Sequence, residues 1–190
     1  MKRKMTHLLC ALFVTAFLTT SLLAQTEAKK AAEDNRAPIV KETEGSWKRA
    51  KKWTLDYIDA MPDNALNFKP TPEVRSFAEQ MLHLAFWNFG LLEAAGGKAN
   101  PYGKKQEDLE KRDDMKTKAA LRKVVAESYD TVLGEMTGLT EAKLLEQVPF
   151  FGRKMTRMTV FNIALDHQTH HRGQTTAYLR LKGVTPPPEP

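Results

Sequence analysis

Residues 156–182 read TRMTVFNIALDHQTHHRGQTTAYLRLK, and this stretch decides the fold. It is 27 residues long and has no proline. Val160, Ile163, Ala164, His167, His171, Gln174, Tyr178 and Leu181 recur at helical spacing, which predicts one long amphipathic helix with imidazoles at the centre of its core stripe. Thr156 opens it, Gly183 stops it, and Pro186, Pro187 and Pro188 prevent its continuation.

Three further helices follow from the same rules. Ser76 and Glu79 have capping-box spacing and start a helix that runs to about residue 95, where Gly96 and Gly97 end it. Its body, MLHLAFW at 81–87, is apolar nearly all round, so it belongs inside the protein. Leu121, Val124, Val125, Tyr129, Val132, Leu133 and Met136 predict a helix over 117–137. Trp47, Ala50, Leu55 and Ile58 predict a first helix over 46–61 with Ser46 as N-cap. Pro62, Pro70 and Pro72 then impose an extended connection. Residues 97–116 form a long polar connection, 140–146 a short turn and 148–152 a loop. No internal repeat or strand pattern stands out. The expected fold is all-α, a four-helix bundle whose long connection between the second and third helices allows a crossover.

The N-terminus reads differently. Lys2, Arg3 and Lys4 precede 17 uncharged residues, 8–24, and Ala24 offers a small residue before Gln25. That is the layout of a secretory signal peptide, with a membrane anchor as the alternative. The chain divides into a signal peptide at 1–24, a polar tether at 25–45, the bundle at 46–185 and a Pro-rich tail at 186–190. Removing the leader lowers the formal net charge from +6 to +3, too little and too dispersed for a nucleic-acid binder. Cys10 leaves with it, so the mature chain has no thiolate of its own and no disulfide.

Of five histidines, His7 lies in the leader, three fall within 167–171, and His83 sits in the most apolar helix. Residues four apart on a helix differ by about 40° in direction and about 6 Å in height, so His167 and His171 share a face. Buried imidazoles carry a desolvation cost that either an ion or a dedicated hydrogen-bond network removes. Three ligands on two packed helices would leave open coordination positions, as catalytic sites do. Imidazole ligation suits zinc, nickel, copper or iron(II) without choosing among them. His170 and Asp166 point beside this face. Gln174, one turn beyond His171, is the candidate to meet a substrate or an ion-bound water.

The run Asp166-His167-Gln168-Thr169-His170-His171-Arg172-Gly173-Gln174, with Tyr178-Leu179-Arg180 and Gly183, resembles the last-helix signature of the DinB-like family (DinB/YfiT type). Asp59-Ala60-Met61-Pro62, Phe68-Lys69-Pro70, Glu73-Val74-Arg75-Ser76-Phe77 and His83 are similar to its first-to-second-helix region. The resemblance covers residues 46–185. It implies a four-helix bundle, often a homodimer, with a divalent metal on His83, His167 and His171; zinc or nickel lead, with manganese or iron as alternatives. It also implies kinship with S-transferases that use an external low-molecular-weight thiol. Arg75, Arg172 and Arg180 match the pattern and read as helix-end or ion-pair residues.

The leading functional expectation is therefore an exported, periplasmic, metal-dependent transferase acting on small electrophiles. A metal-dependent hydrolase and a non-enzymatic metal binder are the alternatives. The expected partner is a small molecule, with no nucleic acid and, once the leader is cleaved, no stable membrane contact.

Overall fold

In the computed structural model the described residues are 37–188. The leader, Cys10, His7 and residues 25–36 of the expected tether lie outside them, as do residues 189–190 of the tail. Six α-helices and one β-hairpin make up this part. They are α1 (Pro38–Ala60), α2 (Phe77–Ala94), α3 (Glu107–Glu110), α4 (Lys118–Met136), β1 (Gln147–Phe150), β2 (Arg153–Thr156), and between α4 and β1 the short α5 (Glu141–Leu144); α6 (Arg157–Leu181) closes the chain.

The four long helices form the bundle. α1 and α2 each pack against both α4 and α6, so α1 and α2 are diagonal partners. Side-chain pairs give the directions. Asp59 meets Arg122 and Lys51 meets Asp130, so α1 and α4 run antiparallel. Glu79 meets Lys116, while Asn88 hydrogen-bonds Ser128 farther along both helices. α2 and α4 are therefore parallel neighbours, and the long connection between them is a crossover. α6 runs antiparallel to α2, with Tyr178 beside Gln80 at one end and Arg157 donating to the Ala95 carbonyl at the other.

Local signals account for most helix ends. Ser76 and Glu79 form the full capping box, Thr117 caps α4, and Thr156 caps α6. The first helix corrects the expected tether. It begins at Pro38, eight residues before Ser46. Proline at the first helical position costs no hydrogen bond and presets φ. Val40 lies two turns before Trp47, and both are buried, so tertiary packing recruits a polar segment into the helix. Ser46 is not a cap: its Oγ donates to the Glu42 carbonyl inside the helix.

The hairpin is a second correction, because residues 148–152 read as a loop. Val148 and Phe150 face inward while Gln147 and Pro149 face out. Pro149 disguised the strand, since proline within a run argues against one except at an edge. The tail also packs back, with Trp53 Nε1 donating to the Pro187 carbonyl at 3.4 Å.

Candidate metal centre

α2 and α6 bring His83, His167 and His171 together, with one ligand nitrogen from each lying within 4.8 Å of the others. The ring centroids are 5.2 Å apart for His83 and His167, 4.4 Å for His83 and His171, and 4.4 Å for His167 and His171. The helical register of α6 supplies two of these residues and the antiparallel packing of α2 the third.

Two of the rings are held from behind. Glu110 accepts from His83 Nδ1 at 2.5 Å, and Arg75 Nε donates to the other carboxylate oxygen at 2.8 Å. Burial alone would raise the Glu110 carboxyl, but the hydrogen bonds from His83 and Arg75 outweigh it and hold it below its ordinary value. An ionised carboxylate only accepts, so His83 Nδ1 carries a proton and Nε2 is the nitrogen left for a ligand. Gln80 Oε1 accepts from His171 Nδ1 at 2.7 Å, which assigns His171 the same tautomer. Arg75 is itself fixed, its carbonyl accepting from the Tyr178 hydroxyl at 2.7 Å.

His167 differs. Its Nδ1 is buried without a hydrogen-bond partner among the described residues. A buried imidazole nitrogen in that state is costly, and a cation shared by the three rings is one partner that completes it. Burial, then the neighbouring His83 and His170, pushes the His167 pKa down to about 4. Burial, then His167, His83 and His170, pushes His171 down to about 3. Both rings are neutral at pH 7, as ligation requires. The donor set therefore fits a borderline divalent cation.

These shifts carry a sign. Unfolded, His167 and His171 take up protons near their ordinary value of 6.5, whereas folded they resist until about pH 4 and about pH 3. The unfolded state binds more protons in that window, so stability falls as pH drops from 6.5. Chelator-treated protein is expected to melt lower at pH 5 than at pH 7.5, above the range where carboxylates titrate. An unchanged melting temperature across that interval would contradict the assignment.

Gln174 lines a polar cleft of about 850 Å³ with Arg75, Gln80, Glu110, His171 and Tyr178. It does not face the core, being exposed, and its Nε2 lies 2.8 Å from His170 Nε2. His170 is exposed, its ring edge-on to His171 at 5.0 Å, and Asp166 is exposed. The expected core stripe of α6 is widened: Val160, Ala164, His171 and Tyr178 are buried as expected, Gln168, Arg172, Thr175 and Leu179 are buried as well, and Leu181 is 62% exposed. The reason is that α6 packs against α1 as well as α2. Arg172 accordingly lies inside, donating to Thr54 at 3.1 Å and stacking over the Trp53 ring at 4.1 Å. Arg75 is the ion-pair residue expected, and Arg180 is exposed.

Glu110 and Gln80 are the residues sequence reasoning missed. Gln80 had a signal, being an amide one turn before His83 in an apolar helix. Glu110 had none, since it lies inside a charged run, Glu107-Asp108-Leu109-Glu110-Lys111-Arg112-Asp113-Asp114, in what reads as solvated loop. Glu110→Gln keeps the shape but replaces the charge-assisted bond. It is expected to lower zinc affinity by about 10–100-fold, as loss of an outer partner does, with isothermal titration as the check.

A mainly helical bundle with three imidazoles converging between its second and last long helices defines a helical-bundle protein with a candidate metal centre. The family model described as the DinB superfamily matches residues 46–175, and the chain belongs to that superfamily. It is 28% identical over 134 residues to the uncharacterized protein YjoA of Bacillus subtilis (strain 168), covering 70% of this chain and 83% of that protein. A DinB-like protein from Bacillus cereus ATCC 10987 has a similar structure, with a TM-score of 0.66 at 21% identity, covering 77% of this chain and 94% of that one. The crystal structure of YjoA gives a TM-score of 0.58 at 21% identity, with 77% and 95% covered. At these identities the structural likeness concerns the fold.

Proposed function

We propose that this DinB-superfamily protein holds one divalent cation, zinc or nickel first, on His83, His167 and His171, and uses it on a small-molecule substrate. The observation that carries the reading is the convergence of three ligand nitrogens within 4.8 Å, on rings whose tautomers Glu110 and Gln80 set. Three protein ligands leave at least one position for substrate, as in catalytic zinc sites.

A cation bound here supplies Lewis acidity, lowering the pKa of a coordinated thiol or water so that a nucleophile exists at neutral pH. The chain's own groups do the rest. Arg75 keeps Glu110 anionic, Glu110 holds the proton on His83 Nδ1, and Gln80 holds the one on His171. Trp87, Phe150 and Phe151 give the His83–His167 side apolar walls, while the polar cleft opens beside His171. In the transferase reading an external thiol gives its proton to solvent. Its sulfur forms a carbon–sulfur bond, and the leaving group departs with its electron pair. A hydrolase would use water in the same place, and a metal carrier would need neither.

Lys2, Arg3 and Lys4 followed by the apolar run at 8–24 support export, and among the described residues no helix is long and apolar enough to cross a membrane. A small-molecule partner, rather than nucleic acid, agrees with the low mature charge; a homodimer remains part of the proposal.

The test is elemental analysis of the full chain after loading with zinc, nickel or manganese and desalting. About one metal per chain is expected for a single three-histidine site. No retained metal would reduce the triad to a hydrogen-bond network and remove the enzyme reading with it. In the loaded protein, turnover of chlorodinitrobenzene with glutathione separates a transferase from a hydrolase, which would cleave nitrophenyl acetate without thiol.

A further inference from the structure

The two sides of the histidine triad differ in chemistry. His171 faces the polar cleft with Arg75, Gln80, Glu110 and Tyr178. His83 and His167 instead form one wall of a pocket of about 420 Å³ whose other walls are Trp87, Leu91, Phe150, Phe151, Ile163 and the Gln106 side chain. Trp87 is fixed there, donating from Nε1 to Gln106 Oε1 at 3.2 Å.

Phe151 is an unusual occupant of its position, at positive φ and largely exposed. Phe150 pairs with Arg153, so Phe151 and Gly152 are the two residues of a tight hairpin turn. Their φ values are 46° and 75°, the pattern of a turn that favours Asn-Gly, because a side chain with a Cβ is strained at positive φ. Phe151 is the one non-glycine residue at positive φ among those described. It is also 65% exposed, so the core gains little from it. Its ring nevertheless stands edge-on to Trp87 at 6.4 Å and to Phe150 at 4.7 Å, at the mouth of the pocket. Backbone strain held by a residue that folding does not need points to a ligand contact.

We infer that this pocket takes the apolar arm of the substrate, an aromatic ring or short branched alkyl group, and that Phe151 is the specificity-determining residue that closes over it. This deepens the metal-centre reading and rests on it for the substrate's orientation. The reacting end lies at the triad, the polar part in the cleft beside His171, and the apolar arm against Trp87 and Phe151.

The experiment uses the full chain, in wild-type, Phe151→Asn and Phe151→Leu forms. Chelator-treated protein is titrated with 2-naphthol while the Trp87 indole N–H signal is followed by NMR, assigned with Trp87→Phe. A saturable shift is expected, weakened by at least about tenfold in Phe151→Asn and by no more than about threefold in Phe151→Leu. Phe151→Asn should melt at or above the wild-type temperature, since asparagine suits the turn. Zinc content is then measured, and benzohydroxamic and acetohydroxamic acids are compared on zinc-loaded protein. The phenyl compound should bind about tenfold tighter to wild type and lose that advantage in Phe151→Asn. Absence of a saturable naphthol shift, or equal binding by Phe151→Asn, overturns the proposal. So does a lower melting temperature with unchanged binding, which would make Phe151 a structural cover. Failure to load zinc with the naphthol result intact would fault the metal reading and leave the apolar pocket standing.

Discussion

His171→Ala protein is expected to retain no stoichiometric zinc after loading and desalting, with affinity down by more than the roughly 10–100-fold that loss of an outer partner costs. His171 is buried to 7% exposure, and its ring centroid is 4.4 Å from those of both His83 and His167. Removing it takes one of three ligands and also strands the Gln80 amide oxygen that accepts from it. Two remaining imidazoles cannot enclose an ion against exchange with water. The fold should persist, because the apolar core draws on all four long helices and does not rest on this ring. His170→Ala is the matched control: the ring is exposed and outside the convergent set, so zinc content should stay at the wild-type level. Undiminished zinc in His171→Ala would remove this residue from the ligand set, and equal loss in both variants would place the metal elsewhere.

The second large effect is on stability. Trp47→Ala is expected to cost about 3–5 kcal/mol, the range for deleting a large aromatic side chain from a packed core. Trp47 is 0% exposed. Its ring meets Tyr129 of α4 edge-on at 5.9 Å and Phe161 of α6 at 6.4 Å, so one side chain ties three of the four long helices together. Loss of that volume leaves a cavity that three rigid helices can only partly close. Trp47→Phe should be far milder. Trp47 Nε1 is buried without a partner among the described residues, so removing that group offsets part of the lost packing. Urea unfolding followed by far-UV circular dichroism reads both. A midpoint shift worth less than about 1 kcal/mol for Trp47→Ala, the size of an ordinary point mutation, would show that α1 is not integral to the bundle.

The reading of residue 47 also shows where sequence patterns carry and where they stop. The apolar stripe containing Trp47 was legible, but the start of its helix was not. Pro38 and the polar run after it have the composition of a tether, and Val40, buried against the bundle with Ala37 and Ile39 packed beside it, draws them into α1. The α6 stripe was legible as a helix and misjudged as a face. Periodicity finds one apolar side, whereas α6 is enclosed from two, so Gln168 and Arg172 are buried and Gln174 is not. The hairpin was too short, and too disguised by Pro149, for a two-residue alternation to show.

The four long helices, the capped starts of α2, α4 and α6, and the pairing of His167 with His171 were all determined locally. Each depends on residues within a few turns of one another, joined by hydrogen bonds and spacing that a linear chain already specifies. The placement of His83 against that pair depends on α2 lying antiparallel to α6. The arrival of Glu110 behind His83 depends on the crossover between α2 and α4, and the strained seat of Phe151 on a hairpin packed over Trp87. Those were decided by tertiary structure alone, because they join residues 27, 84 and 64 positions apart. Contacts at such separations arise from the packing of whole apolar faces, which short-range pattern does not encode.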